Sequence, residues 1–339
     1  MITVLNGYNF IEKDSAVAIG KFDGMHIGHE VILKRLAELK AKGLTTILLS
    51  FDPSPDVFFW RMEDTVLLSK TEMEERLASC GIDYHIILSF GRDLAQMSPE
   101  EFLSEILLKK LRVKEIVAGE DVSFGYKGRG NAAFLKDAEK AGLVKCHILK
   151  KLTVDGEEVS STSIRKYLSE GKIEKANEFL GYRYSYTGVI EEGKHLGRTY
   201  GFPTVNFYPE KKKLLPPMGV YFSIVRVKER VSSVKELADS ALQITNTEQG
   251  TGKPDMNGQR GKVYYAMTNI GLRPSVEEKK GVNLESYLFG NPGNLYGETC
   301  TVSLYHFHRP EQKFESIDRL VEQLKQDRAY CAEYFSIRE

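Results

Sequence analysis

The segment AIGKFDGMHIGHEVILKRL, Ala18 to Leu36, decides how the first half of the chain is read. An apolar run stops at Gly20 and turns through Phe22, Asp23 and Gly24. It then shows His26 and His29 three apart and continues as an amphipathic helix. A strand that runs through a glycine turn into a helix presents free N–H groups and the positive end of the helix dipole, which suits an anion. Gly20, Gly24 and Gly28 let the backbone come close without Cβ clashes. Each histidine can donate a hydrogen bond to a phosphate oxygen. Nucleotidyl transfer needs this arrangement: a nucleophile attacks an α-phosphorus, pyrophosphate leaves, and the protein mainly positions groups and neutralises developing charge. The plainer alternative is a strand–turn–helix whose two histidines meet water.

Outward from this segment the pattern alternates. GHEVILKRLAELKAKG has helical periodicity, with lysines in its last turn and Gly43 as a stop. TTILLSF reads as a buried strand, SKTEMEERLASCG as a helix and IDYHIILSF as a strand. SPEEFLSEILLKKL is a helix with Ser98 as N-cap and Pro99 at its first position. KEIVAGED is a strand and NAAFLKDAEKAG a helix. This rhythm predicts a parallel sheet with helices on both faces and a ligand at the carboxyl ends of the strands.

SSTSIRKYLSEGKIEKANEFLGYRY predicts two short helices, and after about Tyr182 the grammar changes. YSYTGVIEEG, GVYFSIVRVK, KVYYAMTNIG, NLESYLFG and ETCTVSLYHFHR are aromatic, β-branched and alternating, separated by glycines and prolines. They predict antiparallel β-structure, a small closed barrel. A closing helix carries Ile317, Leu320, Val321 and Leu324 on one face. A polar stretch from about Lys228 to Lys262 reads as an excursion between two strands. The 339 residues thus divide into 1–182 and 183–339.

Composition excludes some classes. Formal net charge is zero, with no basic–aromatic tract, which argues against a nucleic-acid partner. Cys80, Cys146, Cys300 and Cys331 form no CxxC pair and no disulfide framework, so a reducing cytoplasm is expected. No run approaches about 18 consecutive apolar residues, and the first residues lack a signal-peptide pattern.

The run G-x-F-D-G-x-H-x-G-H resembles the signature of the nucleotidyltransferase module of bacterial bifunctional FAD synthetases, the riboflavin kinase/FMN adenylyltransferases. FDPSP, Phe51 to Pro55, is similar to a second motif of that family, with Ser54 where histidine is usual. AGEDVSFGYKGRGN resembles G-x-D-F-x-F-G-x-x-R-x-G, with Val122 replacing the first aromatic. SSTSIR resembles S-S-T-x-I-R. In the second half, GRTYGFPTVNF resembles the G-x-P-T-A-N motif of riboflavin kinases, with Val205 for alanine. Ser275 stands for threonine in a later motif, and Asn294 where an acid is common.

The resemblance implies a Rossmann-like nucleotidyltransferase domain followed by an antiparallel β-barrel kinase domain with a C-terminal helix. It implies that riboflavin is phosphorylated by ATP to FMN, and that FMN is adenylylated by a second ATP to FAD. His26, His29 and Arg165 would act in adenylylation. Gly20, Phe22, Asp23, Gly24, Gly28, Asp121, Phe124, Arg129, Ser161 and Thr162 would bind nucleotide or flavin, with Ser161 and Thr162 capping a helix. In the kinase half, Thr204 and Asn206 would hold Mg2+ with the nucleotide phosphates, Gly201 would admit those phosphates, and Glu285 would be the general base. Two other readings are an adenylyltransferase whose barrel is a weak kinase or flavin-binding module, and a regulatory flavin protein acting on nucleic acid.

Overall fold

Ser15–Ile19, the strand entering the opening turn, is buried along its whole length. It lies inside a parallel sheet, where both faces are covered and apolar runs need not alternate. The computed structural model describes residues 3–6, 11–60, 65–192, 201–228, 261–272, 281–290 and 292–337. Contacts group Met1–Ser163 and Ile164–Glu339 as two compact units.

The first unit holds strands β1 (Thr3–Asn6), β2 (Ser15–Ile19), β3 (Thr45–Asp52), β4 (Tyr84–Ser89), β5 (Val113–Gly119) and β6 (Lys145–Leu149). They form one sheet in the order β1-β4-β3-β2-β5-β6, and every pair is parallel. From β2 the chain steps outward to β3 and β4, then returns to the other side of β2 as β5. The strand order therefore reverses between β2 and β5, and their carboxyl ends frame the crevice where such sheets bind ligands. Helix α1 (Ile27–Ala41) follows β2 and buries Leu33, Leu36 and Leu39. Next come α2 (Pro55–Trp60), α3 (Lys70–Ser79) and α4 (Arg92–Gln96). The helix predicted from Ser98 begins as expected, with Ser98 and Glu101 in a capping box and Pro99 in the first turn. It continues as a π-helical segment, Phe102–Lys110. The segment presses Phe102, Leu103, Ile106 and Leu107 into the core beside Ile47, Leu49 and Ile116. Helix α6 is Ala132–Lys140; α5 is the Pro99–Glu101 turn. Two strands not expected from the sequence, β1 and β6, occupy the edges of the sheet.

Helices α7 (Ser161–Ser169) and α8 (Ile173–Leu180) lead into the second unit. A two-residue hairpin, β7 (Thr153–Val154) with β8 (Glu157–Glu158), precedes them. Strands β9 (Ser185–Val189), β10 (Thr204–Phe207), β11 (Gly219–Lys228), β12 (Gly261–Leu272), β13 (Val282–Leu288) and β14 (Thr299–Pro310) make an antiparallel sheet. Its order is β10-β13-β12-β11-β14-β9, and a bridge between Glu191 and Asn206 links its two edges, as the barrel expectation requires. Asn177 of α8 ties to β14, its Nδ2 donating to the Leu304 carbonyl at 2.9 Å. β11 and β12 pair to their last residues, Lys228 opposite Gly261, so the polar excursion leaves from a hairpin base. Most of that excursion and Ser275 lie outside the described residues.

The closing helix α9 (Ile317–Tyr334) is capped by Ser316 and differs from its expected apolar face. Ile317 is 53% exposed, and the fully buried positions are Asp327 and Cys331. A buried carboxylate needs a paired cation, and Arg309 of β14 supplies it: Nε and Nη2 both donate to Asp327, the latter at 2.6 Å. The helix is anchored by this ion pair and by Leu324 rather than by its first turn.

Candidate active sites

The turn after β2 departs from ordinary backbone. Phe22 and Met25 have φ of 50° and 36°, and Gly24 has φ of 83°. Left-handed conformations at two non-glycine residues cost energy, a form of strain that clusters at functional sites. Gly24 meets the third without penalty. Gly20 and Gly28 serve by their size instead: a Cβ on Gly20 would meet the Phe22 ring at 3.2 Å, and one on Gly28 the His26 ring at 3.1 Å.

The turn folds Phe22, His29 and His26 into one stack. Ring centroids are 4.6 Å apart for Phe22–His29 and 3.7 Å for His26–His29. His26 occupies the N-cap position of α1, yet its side chain makes no capping bond. The His26 imidazole is therefore spent on neither the helix nor solvent. His26 is 6% exposed, and both Nδ1 atoms are buried without a partner among the described residues. Both rings line a cleft of about 480 Å³ at the carboxyl ends of β2 and β5. Burial holds the His26 pKa down at about 4, with Asp23 and Asp121 opposing. Burial also pushes His29 well below 6.5, helped by His26. Both shifts favour the neutral imidazole, which still has one N–H to donate.

A stability prediction follows from these shifts. His85, bonded to Ser50 Oγ at 2.8 Å, is also lowered to about 4, chiefly by burial and then by Lys70. As pH falls below 6.5 the unfolded chain takes up protons that the folded chain refuses, so stability is full above 6.5 and is lost toward pH 4. His26 and His85 should each remove about 2 kcal/mol by pH 5. Chemical denaturation between pH 7.5 and 5 measures this. An unchanged unfolding free energy over that range would contradict the burial of these rings.

The remaining first-half residues divide into cleft-facing and structural. Gly20, Phe22, Gly28, Asp121 and Ser161 line the cleft. Asp121 meets Lys151 at 3.2 Å, and Lys151 also pairs with Glu158. Asp23 is buried, and its Oδ1 accepts from Leu67 N at 2.7 Å, which fixes the turn from below. The Ser161 hydroxyl donates to the Asp23 carbonyl at 2.7 Å, joining α7 to the same turn. The cap of α7 is Ser160, whose Oγ accepts from Ser163 N at 3.1 Å. Ser161 and Thr162 are already helical, so the capping role lies one residue earlier than expected. Thr162 and Arg129 are exposed. Arg165 is half-buried on α7, just past the division between the two units.

Ser54, at the position where histidine was expected, is 7% exposed, lines the cleft, and has no partner for its hydroxyl among the described residues. Removing an unpaired buried hydroxyl costs nothing in the fold. Ser54→Ala should change stability by less than about 0.5 kcal/mol. Thermal melts check this. A large loss of stability would place the hydroxyl in the fold rather than the site.

Beside the cleft lies an aromatic pocket of about 280 Å³, lined by Phe59, Phe90, Phe102 and Phe124 among others. Phe51, Pro55 and Ser123 line both cavities. Phe124 packs against Phe102 at 5.3 Å, and its backbone pairs with Gly130. The FDPSP segment, with a cis Asp52–Pro53 bond, thus contributes Phe51 and Pro55 to the wall between the histidine cleft and the aromatic pocket.

In the second unit, Thr204 and Asn206 alternate on one face of β10, with Asn206 opposite Glu285 of β13. The Thr204 hydroxyl donates to Glu285 Oε1 at 2.6 Å. Asn206 Oδ1 accepts from Asn283 Nδ2 at 3.0 Å. Thr204 and Asn206 line a pocket of about 260 Å³ with Asn294, Leu295 and Tyr296. Asn294 Oδ1 accepts from Tyr296 N at 3.1 Å, closing a turn. Gly201 is exposed with φ of 80°.

A parallel sheet with a phosphate-suited cleft at its switch point, followed by an antiparallel barrel carrying a hydroxyl–carboxylate pair, defines a two-part nucleotide-handling transferase. A family model described as FAD synthetase matches residues 9–163, and one described as riboflavin kinase matches residues 180–335. The chain is 31% identical over 327 residues to the bifunctional riboflavin kinase/FMN adenylyltransferase of Listeria monocytogenes, covering 95% of this chain and 93% of that one. It is 30% identical over 348 residues to the enzyme of the same name from Bacillus subtilis, covering 99% and 98%. A crystal structure from Streptococcus pneumoniae, named as a macrolide-efflux protein, superposes with a TM-score of 0.78 at 25% identity, covering 97% of this chain and 98% of that one. That name belongs to that protein. Among the described residues here, no helix is long and apolar enough to cross a membrane. The chain belongs to the bifunctional riboflavin kinase/FMN adenylyltransferases, the bacterial FAD synthetases.

Proposed function

We propose that residues 1–182 adenylylate FMN with ATP, giving FAD and pyrophosphate, and that residues 183–339 phosphorylate riboflavin with ATP, giving FMN and ADP. The observation that carries the first assignment is the shared wall: Phe51, Pro55 and Ser123 border both the histidine cleft and the aromatic pocket. A flavin ring in the pocket brings its phosphate to the cleft. A phosphate oxygen of FMN attacks the α-phosphorus of ATP, the bond to the bridging oxygen breaks, and pyrophosphate leaves. Burial favours the neutral forms of His26 and His29, which donate to phosphate oxygens without adding charge to the site. Gly20, Phe22, Gly24 and Gly28 shape the turn, Asp23 and Ser161 fix it, and Asp121 and Thr162 border the nucleotide. Phe124 walls the flavin, and Arg165 and Arg129 supply cations to the phosphates.

In the barrel, Glu285 accepts the proton of the riboflavin 5′-hydroxyl as its oxygen attacks the γ-phosphorus and ADP leaves. The Thr204 bond is made to Oε1, which leaves Oε2 as the oxygen to take the proton. Mg2+ fits here by donor chemistry. The Thr204 hydroxyl donates a hydrogen bond to Glu285 and keeps its lone pairs, and Asn206 Oδ1 keeps one beside its bond from Asn283. Two neutral oxygens suit an ion that retains water and phosphate ligands. Bound there, it would neutralise the transferring phosphoryl group. Gly201 borders the phosphates. The protein is proposed to act in the cytoplasm, on small-molecule substrates.

Separating the flavins formed from riboflavin and MgATP by chromatography tests this function. FMN should appear first and FAD after it, with FAD formation from FMN needing ATP. FMN without FAD, or neither, would overturn the corresponding half.

A further inference from the structure

We infer that Asn283 is a positioning residue of the kinase half: it sets the direction in which Asn206 presents its carboxamide oxygen to the metal–phosphate group. The inference rests on the proposed ligand role of Thr204 and Asn206, and concerns a residue that no motif marked.

Asn206 and Asn283 are 5% and 6% exposed, and Asn283 Nδ2 donates to Asn206 Oδ1 at 3.0 Å on the face where Glu285 also lies. An asparagine amide can present either its oxygen or its NH2 group to a neighbour, and only the oxygen can meet a cation. A donor bound to Asn206 Oδ1 fixes that choice and leaves one lone pair. β13 holds both β10 residues in the same way. Glu285 accepts from Thr204, and Asn283, two residues earlier on the same face, donates to Asn206. Asn283 Oδ1 is itself buried without a partner among the described residues. An unpaired buried acceptor is destabilising, so the carboxamide is poorly explained by the fold. Its donor end has a use, and its acceptor end lies beside the same pair of strands. Groups that orient a metal ligand commonly change metal affinity 10- to 100-fold when removed.

The test follows the side-chain amide resonances of Asn206 in 15N-labelled full-length protein, assigned by their loss in Asn206→Ala. ADP is present at a fixed saturating concentration and Mg2+ is titrated. In the wild type these resonances should shift with Mg2+. In Asn283→Ala the same shift should need about tenfold more Mg2+. Riboflavin phosphorylation should show the matching split: a higher Mg2+ requirement, with the rate recovered at high Mg2+, which a general folding defect would not allow. Asn283→Ser, a shorter donor, should fall between, and it decides the matter if the alanine variant does not fold. Wild-type Mg2+ dependence in the folded variants, with Asn206 still responding, overturns the inference alone. An Asn206 signal indifferent to Mg2+ in the wild type overturns the ligand reading and the inference with it.

Discussion

Glu285→Gln lowers the rate of riboflavin phosphorylation by about 100- to 10,000-fold, the contribution of a general base. Glutamine keeps the shape of the side chain and a carbonyl that can still accept from Thr204 Oγ1, which now lies 2.6 Å from Glu285 Oε1. It cannot take up the proton released by the ribityl hydroxyl. Binding of ATP to the barrel should stay near wild type, because the phosphate-facing residues Thr204 and Asn206 are untouched. FAD formation from added FMN should be unchanged, since the proposed adenylylation groups lie within residues 1–182 and Glu285 does not. Steady-state rates with riboflavin and with FMN, measured on one preparation, check both halves of the statement. Full kinase activity would show that another group takes the proton and that Glu285 is a strand carboxylate.

His29→Ala should slow FAD formation by roughly 100-fold or more, the scale of losing one preorganised donor to transition-state charge. Riboflavin phosphorylation should continue at the wild-type rate. The ring also packs between Phe22 and His26, so alanine removes packing along with the donor. His29→Phe separates these effects. It keeps an aromatic ring in the stack and supplies no N–H, so it should melt near the wild-type temperature and still fail to make FAD. FAD made at the wild-type rate by the phenylalanine variant would show that His29 is a packing residue of the turn.

The opening segment was legible because its message is local. A strand, a glycine turn and a helix start within Ala18–Leu36, and the structure keeps Ser15–Ile19, the Gly24 turn and Ile27–Ala41 in that order. The antiparallel half was legible for the same reason: alternation in Gly219–Lys228 or Thr299–Pro310 is written in consecutive residues. The strands that escaped notice are β1 and β6, at the sheet edges, where KCHIL is only partly buried and carries polar residues. What depends on distant contacts could not be read. The neutrality of His26 and His29 comes from burial, and Asp23 turns to Leu67, 44 residues away. The aromatic pocket assembles Phe51, Phe59, Phe90, Phe102 and Phe124 from five separate places. The Ser160 cap was missed by one position because three serines and a threonine in SSTS offer the same chemistry.

The central claim is that one chain carries two chemically separate sites, linked by FMN as a product of one and a substrate of the other. The most direct measurement mixes purified Glu285→Gln and His29→Phe proteins with riboflavin and MgATP and follows all three flavins by chromatography. Alone, the first should leave riboflavin largely unconverted, and the second should accumulate FMN. Together they should make FAD, because FMN released by one variant is adenylylated by the other. A mixture that accumulates FMN without FAD, although the Glu285→Gln protein converts added FMN, would contradict exchange through free FMN. A Glu285→Gln protein unable to convert added FMN would contradict the separation of the sites.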